Sequence, residues 1–149
     1  MSDHKRRIRA IQALVAGSAA LASDPAYGAI QTEFGEVYRA RKVRSKQRRR
    51  LLQILHSTRA LDTSLKRFNI YHSCPRGVSL GGYLKALQNH NTASLRRRLS
   101  ATECRRFQNS IVDQRNRYMH EAGAFPLNDN DAAFLFAEME DCLAIALNL

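Results

Sequence analysis

Residues 118–149 contain no lysine or arginine, although the 149-residue chain has 24 of them. Cysteine is almost as scarce. The three present, Cys74, Cys104 and Cys142, are far apart and odd in number, which argues against a disulfide framework and for a thiol-reducing compartment; a cytoplasmic location is expected. No apolar run approaches the ~20 residues of a membrane span, so no membrane partner is expected. Lys5-Arg6-Arg7 before the Ala-rich stretch ending at Ala22 has the look of a secretory leader. Gln12, Gly17 and Ser18 interrupt that stretch, and Ile8, Ile11, Val15 and Ala19 repeat as one helix face, so a helix is expected instead. Strand-like alternation, internal repeats and a composition break are all missing, which leaves a single all-α domain over residues 1–149. The only paired glycines, Gly81-Gly82, are not a phosphate loop.

What is present is positive charge in one part of the chain. Residues 1–117 hold 24 Lys and Arg against 7 acids, a balance of +17, whereas residues 118–149 stand at −6, leaving +11 for the whole. So uneven a distribution points to a polyanionic partner, nucleic acid ahead of membrane. Eight of the twelve residues from Arg39 to Arg50 are basic. Such a run repels itself unless a polyanion screens it. With no aromatic residue interleaved, it suits phosphate contact rather than base reading. Arg41, Lys42, Arg44, Lys46, Arg48, Arg49 and Arg50 are therefore expected to bind RNA, with Arg96, Arg97 and Arg98 as a second cluster and Arg117 beside the motif described below. The competing reading is a solvated helix face.

The spacing predicts four or five helices. The first spans about Asp3 to Ala22; Ser23-Asp24-Pro25 then makes a turn with Pro25 at the first position of the next helix. Tyr27, Ile30, Phe34 and Val37 form an apolar stripe that fades in the basic run and resumes at Leu51, Ile54, Leu55, Leu61, Leu65 and Phe68. Two long helices, or one bent helix, fit this pattern, with the basic run at the bend or at an exposed helix end. Asn69 to Gly82 reads as a loop, followed by a short helix from Ser79 or Leu80 to about His90 and a turn at Asn91-Thr92. Asn128 and Asp131 can cap a last helix carrying Phe134, Leu135, Met139, Leu143 and Leu147.

The most informative helix lies between these. Ser100 and Glu103 have capping-box spacing, Phe107, Ile111, Tyr118 and Ala122 supply an inner stripe, and Gly123 and Pro126 mark the stop. In its last turns stand Arg115, Asn116 and His120. Imidazole changes charge near neutrality, at roughly pH 6.5, and so serves as acid and base. Guanidinium grips phosphate oxygens and keeps its charge. Asn116 and His120 lie about 40° apart around a straight helix, but Arg115 and His120 about 140° apart. Either the Arg side chain bends round, or a second copy of the helix completes the site.

An Arg, a polar residue, three further positions and a His at the end of a capped helix in a basic all-α chain resemble the active-site motif of the HEPN superfamily. That resemblance covers a dozen residues as a motif and the remainder as architecture. It implies a helical bundle and a metal-independent endoribonuclease with no cofactor, in which Arg115, Asn116 and His120 of a homodimer line a composite cleft. The setting it implies is a toxin or defence effector restrained by an antitoxin or regulatory protein. Many HEPN toxins carry a Tyr two residues after the His that a partner nucleotidyltransferase modifies; Ala122 stands there, so the resemblance does not extend to that control. Two other readings compete: a non-catalytic HEPN-like module binding RNA, a nucleotide or a protein, and a basic helical DNA-binding protein. A zinc site from His72, Cys74 and His90 matches no compact ligand spacing.

Overall fold

The computed structural model describes residues 3–75, 77–90 and 93–149, with side chains from residue 5 onward. The expected turn at Asn91-Thr92 lies outside the described residues. Among the described residues the fold is all-α, with no strand. In chain order the helices are α1 (Asp3–Gly17), α2 (Ala19–Ala22), α3 (Tyr27–Arg39), α4 (Lys46–Tyr71), α5 (Leu80–Asn89), α6 (Ala101–Phe107), α7 (Gln114–His120) and α8 (Asp129–Ala146). A 3-10 turn, Ala40–Lys42, follows α3, and a π-helical segment, Gln108–Asp113, joins α6 to α7.

The 26-residue α4 is the axis of the fold. At 1.5 Å per residue it is about 39 Å long, and it packs against α3, α5, α7 and α8, while α1 lies across α8 and α3. Ile54, Leu61, Leu65 and Phe68 of α4 enter one apolar core with Ile11, Val15, Phe34, Leu84, Phe107, Ile111, Met139 and Leu143. Buried Ser57, Thr58 and Ser64 on the same helix return their hydroxyl protons to carbonyls one turn earlier. Their polar atoms are thus satisfied within α4, and the helix stays buried without penalty.

The stripe residues of α1 and α3 are buried where periodicity places them: Ile8, Ile11, Ile30, Phe34 and Val37. Some expected boundaries are corrected. The first helix breaks at Ser18, which is extended, so that α1 and α2 are separate. Pro25 is not the first residue of α3; it sits in a turn in which the Asp24 carboxylate accepts from the Ala26 N–H, and the helix starts at Tyr27. Helix α4 continues through Asn69 and Ile70, beyond the expected start of the loop, because the Asn69 amide is buried and donates to the Tyr83 carbonyl. Phe134 and Ala122 leave their expected inner faces and are exposed, while Leu135 and Phe136 fill the core beside Phe134.

Candidate functional site

The capping box at the head of α6 forms as the sequence predicts. Ser100 Oγ accepts from the Glu103 N–H, and Glu103 accepts from the Ser100 N–H. Helices α6 and α7 then run as one rod, interrupted only by the π segment. A π turn closes i to i+5 bonds and inserts one extra residue, shifting every later side chain by about 100° around the axis. The rod is clamped to α8 by Arg106, which donates to both Glu138 oxygens at 2.9 and 2.6 Å and to Asp141 at 2.6 Å. Ser110, within the π segment, donates to the same Glu138 at 2.7 Å. Arg106 holds the Glu138 carboxyl below its ordinary range, against the opposing effect of burial. On the other side, the Gln108 amide donates to the Gly81 carbonyl at 2.9 Å. A Cβ at Gly81 would stand 2.8 Å from Gln108 Oε1, so a larger residue there would displace the end of the Gln108 side chain.

Past the π segment, α7 carries Arg115, Asn116 and His120, and its backbone turns extended at Glu121. The chain then reverses through Gly123 at φ +80°, a conformation that suits glycine. Arg115 Nη1 donates to the Asn116 side-chain oxygen at 2.9 Å. Its other electrostatic partner was not singled out from the sequence. Asp62 on α4 is half-buried; burial pushes its carboxyl above the ordinary range, and the charges of Arg115 and Lys66 pull against that. Asp62 in turn adds to the effect of burial in raising the Tyr83 hydroxyl. The only sequence signal for this pair was an acid and a base four residues apart on α4, which is equally what a solvated helix face shows.

His120 is exposed and makes no hydrogen bond with Arg115. Of the two ways to join the motif, the Arg side chain folding back is therefore not used within one chain: Arg115 faces α4, and His120 stands free at the end of α7. Arg117 lies over the Tyr118 ring at 5.8 Å.

The basic run occupies the break between α3 and α4, with Arg41 and Lys42 in the 3-10 turn and Lys46, Arg48, Arg49 and Arg50 in the opening residues of α4. Ser45 caps that helix by accepting from the Arg48 N–H. No acid stands in its first turn, so these cations gather at the positive end of the helix dipole, where anions are favoured. Lys42, Arg44, Lys46 and Arg48 are exposed. Arg50 is different: its guanidinium donates to Asp129 at 2.8 Å and to the carbonyls of Pro126 and Leu127. In the second cluster Arg97 is fixed to Glu103 by two 2.9 Å bonds, while Arg96 and Arg98 are exposed. His72 hydrogen-bonds Ser94, and among the described residues no group of three potential metal ligands gathers.

No protein-family model matches the chain, and no curated protein or solved structure matches it either. Among the described residues no helix is long and apolar enough to cross a membrane.

Proposed function

We propose that the protein is a HEPN-like, metal-independent endoribonuclease whose composite site is completed in a homodimer, acting as a toxin or defence effector. The observation that carries this reading is the ordered end of the motif rod. Arg115 is hydrogen-bonded to Asn116 and stands in the field of the Asp62 carboxylate, and His120 is accessible one turn beyond Asn116.

The ribose 2′-oxygen attacks the adjacent phosphorus, forming the 2′,3′-cyclic phosphate as the bond to the 5′-oxygen of the next nucleotide breaks. The imidazole of His120 takes the 2′-hydroxyl proton, or returns one to the departing 5′-oxygen, and Arg115 balances charge on the phosphoryl oxygens. Since Arg115 and His120 diverge on one rod, the Arg of one copy works with the His of its partner. Phe134, 58% exposed, lies beside Tyr118 and Gln114 of this rod, and Leu127 is 85% exposed. Both are available for such a contact.

The test is incubation of the purified protein with a mixed RNA pool in excess chelator. Products should end in 2′,3′-cyclic phosphate and 5′-hydroxyl groups, and His120→Ala should cut the rate by at least about 100-fold with folding intact. Undiminished cleavage by that variant would sink the assignment. The second reading, an RNA-binding module without catalysis, is favoured by the absence of any Arg115–His120 contact within one chain. It expects salt-dependent RNA retention with no product in the same assay.

A further inference from the structure

Beside the break between α3 and α4, a recess of about 460 Å³ opens between the start of α4, the first turn of α8 and the side of α1. It falls within the roughly 300–1,000 Å³ range of small-molecule sites. Three guanidinium groups reach it from three different elements: Arg7 from α1, Arg41 from the 3-10 turn and Arg49 from α4. Phe136 and Ala132, both buried, give it an apolar floor, and the buried Gln53 adds an amide.

The charges around this recess do not cancel. Arg7 is paired with Glu140 at 3.1 Å. Asp129, the acid at the rim, is paired with Arg50 at 2.8 Å. Arg41 lies over the Tyr38 ring, and Arg49 donates to the Val43 carbonyl; neither forms an ion pair of its own, although Arg49 adds to the positive field that lowers the Asp129 carboxyl. Two positive charges thus remain, held in place by a ring and a carbonyl, at the amino end of a long helix with no acid in its first turn. A phosphodiester in an RNA backbone carries one negative charge and tracks along surfaces. A phosphomonoester carries about −1.5 to −2 at neutral pH and can enter a recess end-on, where arginine forks hold its oxygens.

We propose that this recess is a binding site for a nucleoside phosphomonoester, its phosphate held by Arg41 and Arg49. A free mononucleotide and the 5′-phosphorylated end of an RNA share this chemistry. The site is lined by none of Arg115, Asn116 or His120, so it is separable from the cleavage reading.

The experiment is calorimetric titration of the full chain at low salt with adenosine 5′-monophosphate, with adenosine, and with short oligoribonucleotides bearing a 5′-phosphate or a 5′-hydroxyl. The monophosphate should bind once per chain, and adenosine should not. Arg41→Gln and Arg49→Gln should each weaken monophosphate binding at least tenfold while keeping the wild-type melting temperature. Arg44→Gln, which neutralises a neighbour outside the recess, should weaken it less than twofold. If the 5′-phosphorylated oligonucleotide binds more tightly than the mononucleotide, the ligand is an RNA end; the reverse order makes it a free nucleotide. Absence of saturable monophosphate binding, or equal losses in the Arg44 and Arg49 variants, overturns the proposal.

Discussion

Arg48 and Arg50 stand two residues apart in one basic run, yet they answer to different surroundings. The Arg50 side chain is only 12% exposed and ties the start of α4 to the loop before α8 through Asp129 and two carbonyls. Arg50→Gln should therefore lower stability by about 1–2 kcal/mol in urea melts, since charge-assisted bonds of this kind are worth roughly that much. Arg48 is exposed and uses only its backbone, in the cap. Arg48→Gln should leave the melt within about 0.5 kcal/mol of wild type and reduce the magnitude of the salt slope of RNA binding by about one. Glu103 gives a pH signature. Its hydrogen bonds from Arg97, aided by the Ser100 cap, hold its carboxyl down at about 2, from an ordinary 4.5. A lowered carboxylate stabilises the fold fully above its unfolded pKa and loses that contribution as the pH falls from about 4.5 towards 2. Because Arg97 is half exposed, the contribution is expected to be about 1 kcal/mol after screening. Glu103→Gln should flatten the stability profile across that window, measured by urea unfolding at pH 6, 4 and 2.5.

At the scale of elements, the motif rod is held from three sides: by Glu138 of α8, by Gly81 of α5 and by the electrostatic field of Asp62 on α4. Breaking the first by Arg106→Ala leaves the Glu138 carboxylate buried without its cation. The loss should be about 2 kcal/mol, below the 3–5 kcal/mol of a fully buried pair because Arg106 is 42% exposed. Asp62 behaves in the opposite way. Burial raises its carboxyl, so folding opposes its charged form at neutral pH, and the charged form costs stability as the pH rises through the raised value. Asp62→Asn should leave the protein as stable as wild type or slightly more so at pH 7, while lowering RNA cleavage by releasing Arg115. Loss of stability with cleavage unchanged would remove Asp62 from the site. The capping box and the position of His120 in the last turn were legible because each depends on a few neighbouring residues. The π segment was not: no local motif marks it, and the bond that Ser110 makes from it goes to Glu138, 28 positions away.

For the whole molecule, the dominant quantity is the charge of +11 and its division at residue 117. In three dimensions the acidic tail does not stand apart from the basic part: Arg7 meets Glu140, Arg50 meets Asp129, and Arg106 meets Glu138 and Asp141. These internal pairs consume much of the tail's charge and leave the exposed arginines at the head of α4 to act outward. RNA affinity should thus fall steeply between 50 and 200 mM salt, by a factor of about ten or more if at least two phosphates are contacted. Light scattering should show a dimer under cleavage conditions, because one rod alone sends Arg115 and His120 in different directions.

Local pattern alone sufficed for the all-α class, the apolar faces of α1, α3 and α4, a basic run at a bend or helix end and the capped start of the motif helix. Each of these depends on periodicity, helix caps or charge over a short stretch. Packing between distant elements set the separation of α3 from α4, the phase of α7, the partner of Arg115, the exposure of Phe134, and which arginines are tied to carboxylates and which are left over. Those outcomes depend on side chains brought together from distant parts of the chain, and no local spacing encodes which of two equally basic neighbours will find an acid.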